Sequence, residues 1–342
     1  MITFGLDIGA TSMKLVWLQK AKTGFVLKSS LMTVTPAKGM FSESPFDQQA
    51  MAQAIQRLVV DAKVTTKNIN VALPENQVFT KVIEMPDLSD KELSSAIYWE
   101  AEQHIPAPLN TMAIDYKVVR RNINNEVSPK MQVLLVGAPT VLVHRYQQIL
   151  EMTGLSIAAV ETDVISIVRS LVPANSTAVI LIITIGALST SLAIVQGGTI
   201  IFTYSIPLGG AAMDRAIASN FGFTPQQAEE YKKTYGINDQ SLGGKISLTL
   251  QPILMSILTE VKKAIAYYVD KYKNDAPISQ ILLTGGSSLL PGIDLFFVKN
   301  AGIETLIGNP WKTFSITGVT PDLMDQGPRF AVAIGLAMRS DE

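Results

Sequence analysis

A short pattern of glycine and hydroxyl residues occurs twice in the chain, and such a pattern can bind phosphate. The first copy is Asp7-Ile8-Gly9-Ala10-Thr11-Ser12 and the second is Thr184-Ile185-Gly186-Ala187-Leu188-Ser189. An apolar run precedes each copy and a strand-like run follows it, so each is predicted to be a turn between two strands. Glycine in such a turn lets backbone amides approach a phosphate without a Cβ in the way.

The first copy also has the charges that a phosphate chain and its metal ion require. Asp7, at a strand end, could hold Mg²⁺, mostly through water. Lys14 lies two residues beyond Ser12 and could neutralise a terminal phosphate. The second copy has Thr184 in place of Asp7, which indicates that hydrolysing the phosphate chain is not its purpose. A plain hairpin turn would explain one copy alone, but the repetition favours phosphate binding.

A third glycine motif follows a buried strand near the C-terminal end of the chain. Ile281 to Leu283 are apolar, and Gly285-Gly286-Ser287-Ser288 come directly after them, at the start of a predicted helix. Unblocked amides and a helix N-terminus are a suitable site for an anion, or for the sugar and base of a nucleotide. The chain therefore contains three glycine-bearing turns that point to one nucleotide.

The composition describes an ordinary globular protein. The 342 residues are 47% hydrophobic and 17% charged, which predicts about two domains with real cores. The net charge of −1 gives no reason to expect nucleic acid as a partner. The absence of cysteine excludes disulfides, zinc–thiolate sites and thiol chemistry. The N-terminal residues contain no signal peptide pattern.

One stretch without charges requires a choice between membrane span and buried sheet. No charged residue occurs from Ser170 to Met213, and residues 178–195 are apolar enough to be mistaken for a membrane helix. Gly186 interrupts this stretch, which is rich in valine, isoleucine and threonine and alternates in its second limb. These are strand signals. We therefore predict buried sheet and no direct insertion into a membrane.

The three motifs together resemble known nucleotide-binding loops. Asp7 to Ser12, Thr184 to Ser189 and Thr284 to Gly292 are similar to the first phosphate loop, second phosphate loop and adenosine motif of the superfamily that contains actin and the sugar kinases. The segment Ile83 to Pro106, and above all its Trp-Glu-Ala-Glu-Gln-His-Ile-Pro end, resembles the PilM family of type IV pilus assembly proteins. The likeness extends over essentially the whole chain.

The resemblance implies a two-lobed α/β fold, the actin-like (ribonuclease H-like) ATPase fold with a small inserted α+β subdomain. It implies a first actin-like subdomain over 1–77, completed by about 161–175 and the C-terminal helix 328–342. The inserted subdomain is expected over 78–160. The second lobe then has a core subdomain over 176–213 and 276–327 and a helical subdomain over 214–275.

The resemblance also implies ATP with Mg²⁺ in the cleft between the lobes, with Asp7 as the candidate metal ligand and no catalytic residue assigned beyond it. The residues expected at the nucleotide are, on the phosphate side, Asp7, Gly9, Ala10, Thr11, Ser12, Lys14, Gly186, Ala187 and Ser189, and, on the adenosine side, Gly209, Gly210, Glu260, Lys263, Gly285, Gly286, Ser287 and Ser288. Thr184 departs from the aspartate that is usual in the family. At most a weak ATPase is therefore expected.

The implied partner is a PilN-like inner-membrane protein, whose N-terminal cytoplasmic peptide would dock in a groove between the first subdomain and the insertion. This would recruit a cytoplasmic protein to the inner face of that membrane, where other pilus components and self-association are also expected. Trp99 and Ile105 are the candidate groove residues. The residues alone leave open whether Trp99 contacts a peptide or belongs to a packed helix face.

Three other functions remain alternatives. An FtsA-like filament-forming tether would need a basic amphipathic membrane helix, whereas this sequence ends Met338-Arg339-Ser340-Asp341-Glu342. A small-molecule kinase of the same superfamily would need a cleft carboxylate as general base, where this chain has Thr184. The related cytoplasmic module of type II secretion is normally fused to a membrane span.

Overall fold

The computed structural model describes residues 2–121, 129–238, 241–273 and 275–339. The elements of the first half are, in chain order, β1 (Phe4–Ile8), β2 (Ser12–Lys20), β3 (Phe25–Val34), α1 (Pro45–Asp61), β4 (Asn68–Leu73), β5 (Phe79–Pro86), α2 (Asp90–His104), β6 (Met112–Arg120), β7 (Lys130–Pro139), α3 (Thr140–Met152), β8 (Ser156–Thr162) and α4 (Asp163–Leu171). The elements of the second half are β9 (Val179–Ile185), β10 (Thr190–Gln196), β11 (Thr199–Ile206), α5 (Gly210–Phe221), α6 (Pro225–Tyr235), α7 (Lys245–Lys271), β12 (Ile278–Thr284), α8 (Ile293–Ala301), β13 (Thr305–Ile307), α9 (Pro310–Thr313), β14 (Ile316–Thr317), α10 (Pro321–Asp325) and α11 (Ala331–Ala337).

Within these described ranges the strands form three sheets. The first-lobe sheet has the order β14-β3-β2-β1-β4-β8, the second-lobe sheet β11-β10-β9-β12-β13, and the insertion sheet β5-β7-β6. Each lobe sheet begins with an antiparallel meander, β1 to β3 or β9 to β11, and its first strand then pairs in parallel with a later one. The sequence repeat is therefore a repeat of supersecondary structure.

The uncharged stretch of the sequence forms the centre of the second-lobe sheet. Leu181 and Ile183 of β9 pack on the face covered by α7, whereas Ile180 and Ile182 pack on the face covered by α4. A strand buried on both faces is apolar at every position, which explains the hydropathy of residues 178–195. The prediction of buried sheet is confirmed. In the part of the chain that is described, no helix combines the length and apolarity that a membrane crossing needs.

The insertion sheet packs between α2 and the second lobe. Leu93, Ile97 and Ala101 of α2 cover one face of the sheet. On the other face, Val82 and Leu134 pack in the same core as α4 and the second-lobe sheet. The helix α2 begins with a capping box of Ser89 and Glu92, which the Ser-Asp-Lys-Glu sequence there predicts. The polar residues 122–130 predict an exposed turn, and 122–128 lie outside the described residues.

Polar contacts add to this junction between the insertion and the second lobe. The Thr203 hydroxyl donates to the Thr80 carbonyl at 3.0 Å. The Lys271 ammonium lies 3.3 Å from a Glu84 carboxylate oxygen. Because the insertion is covalently part of the first half of the chain, these contacts connect the two lobes outside the hinge.

Two predicted element boundaries were wrong. The sequence predicts a helix from Glu161 to Leu171, but the helix begins at Asp163, because residues 156–162 form β8, which pairs in parallel with β4 at the edge of the first-lobe sheet. The weak alternation of this strand, with two alanines at its centre, gave no clear strand pattern. The closing helix is shorter than predicted, since a 3₁₀ turn at Gly327–Phe330 precedes α11. Residues 340–342 lie outside the described ranges.

The helices α4 and α11 meet where the two lobes join, and we call this pair the hinge. Helix α11 packs on the first-lobe sheet, α4 packs on the second-lobe sheet, and their backbones are in contact. A Cβ on Gly335 of α11 would lie only 1.9 Å from the Ser166 carbonyl oxygen of α4. A Cβ on Gly5 of β1 would lie 2.2 Å from the Ala333 carbonyl oxygen. Only glycine permits approaches this close, so these two positions fix both helices against the first-lobe sheet.

A buried carboxylate holds the hinge helices together. Glu161 is 8% exposed and accepts hydrogen bonds from Arg169, Ser166 and Arg339. Arg169 also donates to the Gly335 carbonyl at 2.9 Å, which joins α4 to α11. Burial raises the pKa of Glu161, but the hydrogen bonds and charges of its partners outweigh burial, so the net pKa is below the ordinary 4.5.

Replacing Glu161 with glutamine is expected to lower the free energy of unfolding by about 3 kcal/mol at pH 7, because two arginines lose a buried anion. A folded-state pKa below the unfolded value means that the carboxylate stabilises the fold above the unfolded pKa, and that this contribution disappears as the pH falls through the folded pKa. Urea unfolding of wild type and Glu161→Gln should therefore show a gap at pH 7 that narrows once the pH falls below the ordinary 4.5 and closes as it passes through the lowered folded-state pKa.

The control for this comparison is Glu102→Gln on the exposed side of α2, which should change the unfolding free energy by less than about 0.5 kcal/mol. A gap between wild type and Glu161→Gln that stayed constant from pH 7 to acid would contradict the role given to the carboxylate.

Candidate functional site

The turn between β1 and β2 directs backbone amides outward, and we call residues 9–12 the first cradle. The Gly9 N–H donates to the Ser12 carbonyl at 3.2 Å and closes the turn. Thr35, just after β3, holds the turn with two bonds, from its hydroxyl to the Gly9 carbonyl at 2.7 Å and from its N–H to the Thr11 carbonyl at 3.1 Å. Within the described chain, the amides of Ala10 and Thr11 have no acceptor.

The turn between β9 and β10 has the same geometry, and we call residues 186–189 the second cradle. The Gly186 N–H donates to the Ser189 carbonyl at 2.9 Å. Here the start of α5 replaces Thr35 as the clamp, since the Gly210 N–H donates to the Gly186 carbonyl and the Ala211 N–H to the Ala187 carbonyl, each at 2.9 Å. Over the described ranges, the amides of Ala187 and its neighbour Leu188 also lack an acceptor.

The two cradles differ in charge at one cross-strand pair. Asp7 lies opposite Lys14 in the β1–β2 register, and the ammonium is 3.0 Å from the carboxylate and 3.3 Å from the Ser12 carbonyl oxygen. The corresponding pair between β9 and β10 is Thr184 opposite Ser191. The second cradle has therefore lost both charges, the base as well as the acid whose loss is visible in the repeated motif.

The third glycine motif touches the second cradle directly. Gly285 has a positive φ of 86°, and a Cβ there would lie 2.6 Å from the Ile185 carbonyl oxygen. A Cβ on Gly210 would lie 2.6 Å from the Ser287 hydroxyl, and one on Gly209 would lie 2.6 Å from the Gly186 carbonyl oxygen. These glycines let three chain segments meet without side chains between them.

The glycine motif at residues 285–288 is hydrogen-bonded to the segment that leads into the hinge helix α11. The Gly285 N–H donates to the Pro328 carbonyl at 3.0 Å, directly before α11. The Ser288 hydroxyl donates to the Gly285 carbonyl at 2.8 Å, and a Cβ on Gly286 would meet open space. Backbone and hydroxyl hydrogen bonds thus hold the turn, and a side chain at position 286 would have no neighbour within 4 Å.

A buried lysine that the sequence did not single out completes this side of the site. Lys232 of α6 is 6% exposed, with its ammonium 2.7 Å from a carboxylate oxygen of Asp214 and 3.3 Å from the Gly210 carbonyl oxygen. The sequence does contain a signal for its burial. Lys232 lies one turn after Ala228, on the face of α6 that is buried, whereas the other charged residues of this helix are exposed.

The pair Glu260 and Lys263, which we expect at the nucleotide, lies on the long helix α7. The two side chains pair with each other at 2.7 Å, and Lys263 is near Tyr204 in the middle of β11. No contact joins this pair to either cradle in the described part of the chain.

Two buried carboxyl groups lie next to the first cradle and were also missed. Burial, followed by the charge of nearby Asp7, raises the pKa of Asp163 to about 7. Burial, followed by the charge of Asp163, raises the pKa of Glu75 to about 8. The Asp163 oxygen Oδ1 is buried without a hydrogen-bond partner among the described residues. An orphaned acceptor beside Asp7 is suited to a water or to a hydrated cation.

Asp163 and Glu75 lie where the hinge helix α4, the insertion and the second lobe meet. Asp163 is the first residue of the hinge helix α4, and Glu75 follows β4 at the root of the insertion. The Thr80 hydroxyl donates to Glu75 at 3.2 Å, and the Thr203 side chain of β11 lies close to the same carboxyl group. No group of three or more metal-ligating side chains occurs in the described ranges, so a cation here would have to keep most of its water.

The structure separates the two candidate peptide residues. Ile105 is buried in the insertion core, and its methyl groups would meet a Cβ on Gly137 at 2.8 Å. Trp99 is 68% exposed on the outer face of α2, beside Tyr98, which is also exposed. Trp99 is therefore not part of a packed helix face. Exposed adjacent aromatic residues are typical of interaction surfaces.

Comparison with solved structures identifies the fold. One chain of a PilM–PilN type IV pilus biogenesis complex matches 99% of this chain over 98% of its own length, with a TM-score of 0.85 and 26% identity. MreB 5 of Spiroplasma citri, solved with AMPPNP, matches 97% of this chain over 94% of its own, with a TM-score of 0.53 and 14% identity. The predicted two-lobed actin-like fold is confirmed.

Sequence comparison finds distant relatives and one matching family. The cell division protein FtsA of Neisseria meningitidis serogroup B is 22% identical, in an alignment that covers 87% of this chain and 79% of that protein. The family model described as type IV pilus assembly protein PilM matches residues 5–341. The chain therefore belongs to the PilM family of type IV pilus assembly proteins.

Proposed function

We propose that this chain is a nucleotide-binding scaffold of type IV pilus assembly. In this proposal it holds ATP with Mg²⁺ between its lobes and docks the N-terminal segment of a PilN-like inner-membrane protein, which recruits it to the cytoplasmic face of that membrane. The observation that carries the nucleotide half is the matched pair of cradles, each closed by one glycine amide and each presenting two free amides.

The residues of the two cradles suit a triphosphate because they offer backbone hydrogen-bond donors as well as a positive charge. Among the described residues, the amides of Ala10, Thr11, Ala187 and Leu188 have no acceptor, and they lie on turns whose glycines leave the backbone accessible. Oriented amides of this kind bind anions in water-poor clefts. The Lys14 ammonium adds the positive charge on the first lobe. Lys232 and the Gly285–Ser288 turn supply donors on the adenosine side.

The residues beside the first cradle fit a hydrated magnesium ion. Asp7 offers one carboxylate, and Asp163 offers an oxygen with no partner among the described residues. When bound, Mg²⁺ would neutralise phosphate charge and order water. Burial raises the pKa of Asp163 to about 7, so its carboxyl is more basic than an ordinary aspartate and would hold an ordered water by a hydrogen bond.

The neutral second cradle favours retention of the nucleotide over turnover. Thr184 and Ser191 provide hydroxyls but no charge to hold a second water shell of the metal. Binding by backbone amides does not require that charge, whereas stabilising the charge that develops on hydrolysis does. We therefore infer that ATP persists as a structural ligand.

The substitution Thr184→Asp is expected to raise the rate of ATP hydrolysis by about tenfold or more in the presence of Mg²⁺, because it restores a carboxylate to the second cradle. The measurements are phosphate release under single-turnover conditions and ATP affinity by calorimetry. Thr184→Asn, of the same size without the charge, is the control and should hydrolyse ATP as slowly as wild type. Failure of wild type to bind ATP with any divalent metal would overturn the nucleotide half of the proposal.

The partner half of the proposal is supported by the outer face of α2. Trp99 and Tyr98 are exposed there, and Glu102 is exposed beside them. Cytoplasmic segments next to membrane spans are rich in lysine and arginine, so acidic side chains around an aromatic anchor suit such a peptide. The solved complex of a PilM chain with PilN supports the same partner for a member of this family.

The substitution Trp99→Ala is expected to weaken binding of the N-terminal PilN-like peptide by about tenfold or more, because an aromatic anchor loses its buried area. The measurement is peptide titration by fluorescence anisotropy, and the peptide at about 100 times its Kd should stabilise wild type by about 2.7 kcal/mol. Tyr204→Ala, which removes an exposed ring from β11, 45% accessible against 68% for Trp99, is the control. Equal affinities of wild type and Trp99→Ala would contradict docking on α2.

A further inference from the structure

The outer face of α7 carries apolar residues where a surface helix should be polar. The inner face of this 27-residue helix packs in the second-lobe core. On the opposite face, Leu248, Met255, Ala266 and Val269 recur at intervals of seven, eleven and three residues, which places them in one stripe, with the charged Lys262 between Met255 and Ala266. Leu248 is 66% exposed and Val269 57%. A surface helix normally keeps such a face polar.

The stripe ends in a groove between α7 and α8. The groove has a volume of about 450 Å³, and its apolar lining is Ile265, Ala266 and Val269 from α7 and Ala301 from the end of α8. One turn before Ala301, Val298 is exposed. The apolar floor is therefore continuous across two helices. It lies on the second lobe, whereas α2 belongs to the insertion.

Basic side chains surround this floor. Lys262 and Lys273 line the groove, and Lys299 follows Val298 on α8. The one acid in the lining, Asp270, pairs with Lys273 at 3.1 Å. Lys262 and Lys299 are exposed and have no acidic partner among the described residues. The groove thus has an apolar floor with an unbalanced positive rim.

We propose that the α7–α8 groove docks an acidic amphipathic helix from a protein partner. Apolar side chains of such a helix, spaced at three and four residues, would fill the floor in the manner of a helix in a groove. Glutamate or aspartate on its flanks would meet Lys262 and Lys299. From Met255 to Val269 the stripe is about 21 Å long at the helical rise, which matches a helix of about four turns.

The charges favour this partner over a second copy of the same chain. A two-fold axis through the groove would set Lys262 near its own symmetry mate and Lys299 near that pair. Like charges facing each other across an interface oppose association. An acidic helix removes that repulsion and uses both lysines, so the rim selects a partner of opposite charge.

The test is a titration of the full-length protein with two synthetic helices. One has leucines along one face and glutamates on both flanks, and its twin has lysine in place of every glutamate. At low salt, the acidic helix should bind about tenfold or more tightly than the twin. The double variant Lys262→Glu, Lys299→Glu should reverse the preference, and Val269→Asp should abolish binding of both helices. Lys91→Glu, on exposed α2, is the charge control.

Each of the following results would overturn the proposal: no binding of the acidic helix, equal binding of both helices, or a preference unchanged in the double variant. A wild-type dimer in sedimentation velocity that Val269→Asp converts to monomer would assign the groove to a second copy instead. All substituted positions are exposed, so unaltered thermal unfolding and circular dichroism should confirm that each variant is folded.

Discussion

The close backbone packing at the hinge is the constraint on which the rest of the structure depends. Gly335 places α11 against α4, and Gly5 places β1 against α11, each at a distance that no Cβ could occupy. The buried Glu161 then ties the two helices by charge. Because α4 begins beside Asp7 and Gly285 is bonded to the residues just before α11, this packing also sets where the first cradle and the adenosine-side turn lie.

The site built on this hinge is asymmetric, and the asymmetry explains the function that we propose. The first cradle has an ion pair and two buried carboxyl groups nearby, whereas the second has only amides and hydroxyls. In the function that we propose, the amides of both cradles would bind the phosphate chain, whereas only the first cradle would bind the metal ion and its water. A ligand held this way steadies the lobes. The insertion, which rests on the second lobe through Thr80 and Glu84, would be steadied with them.

The spacing of glycines and apolar residues within short segments was enough to predict the cradles. It could not predict which distant segments pack against each other. The paired turns follow from glycine and strand alternation within a dozen residues, and the fold class follows from their repetition. Asp163, Glu75 and Lys232 were missed because their importance comes from burial against distant segments. The placement of Glu260 beside the nucleotide stays a prediction, because the sequence predicts its helix but not the direction in which its side chain points. The subdomain boundaries remain predictions, although β8 begins inside the range given to the insertion.

The measurement that tests the account most directly is hydrogen–deuterium exchange of the cradle amides with millisecond quenching, with and without ATP and Mg²⁺. The amides of Ala10, Thr11, Ala187 and Leu188 have no acceptor among the described residues, so they should exchange fast alone. If both cradles grip one triphosphate, ATP should slow exchange at all of these positions together. Protection confined to one lobe, or absent from both, would contradict the account.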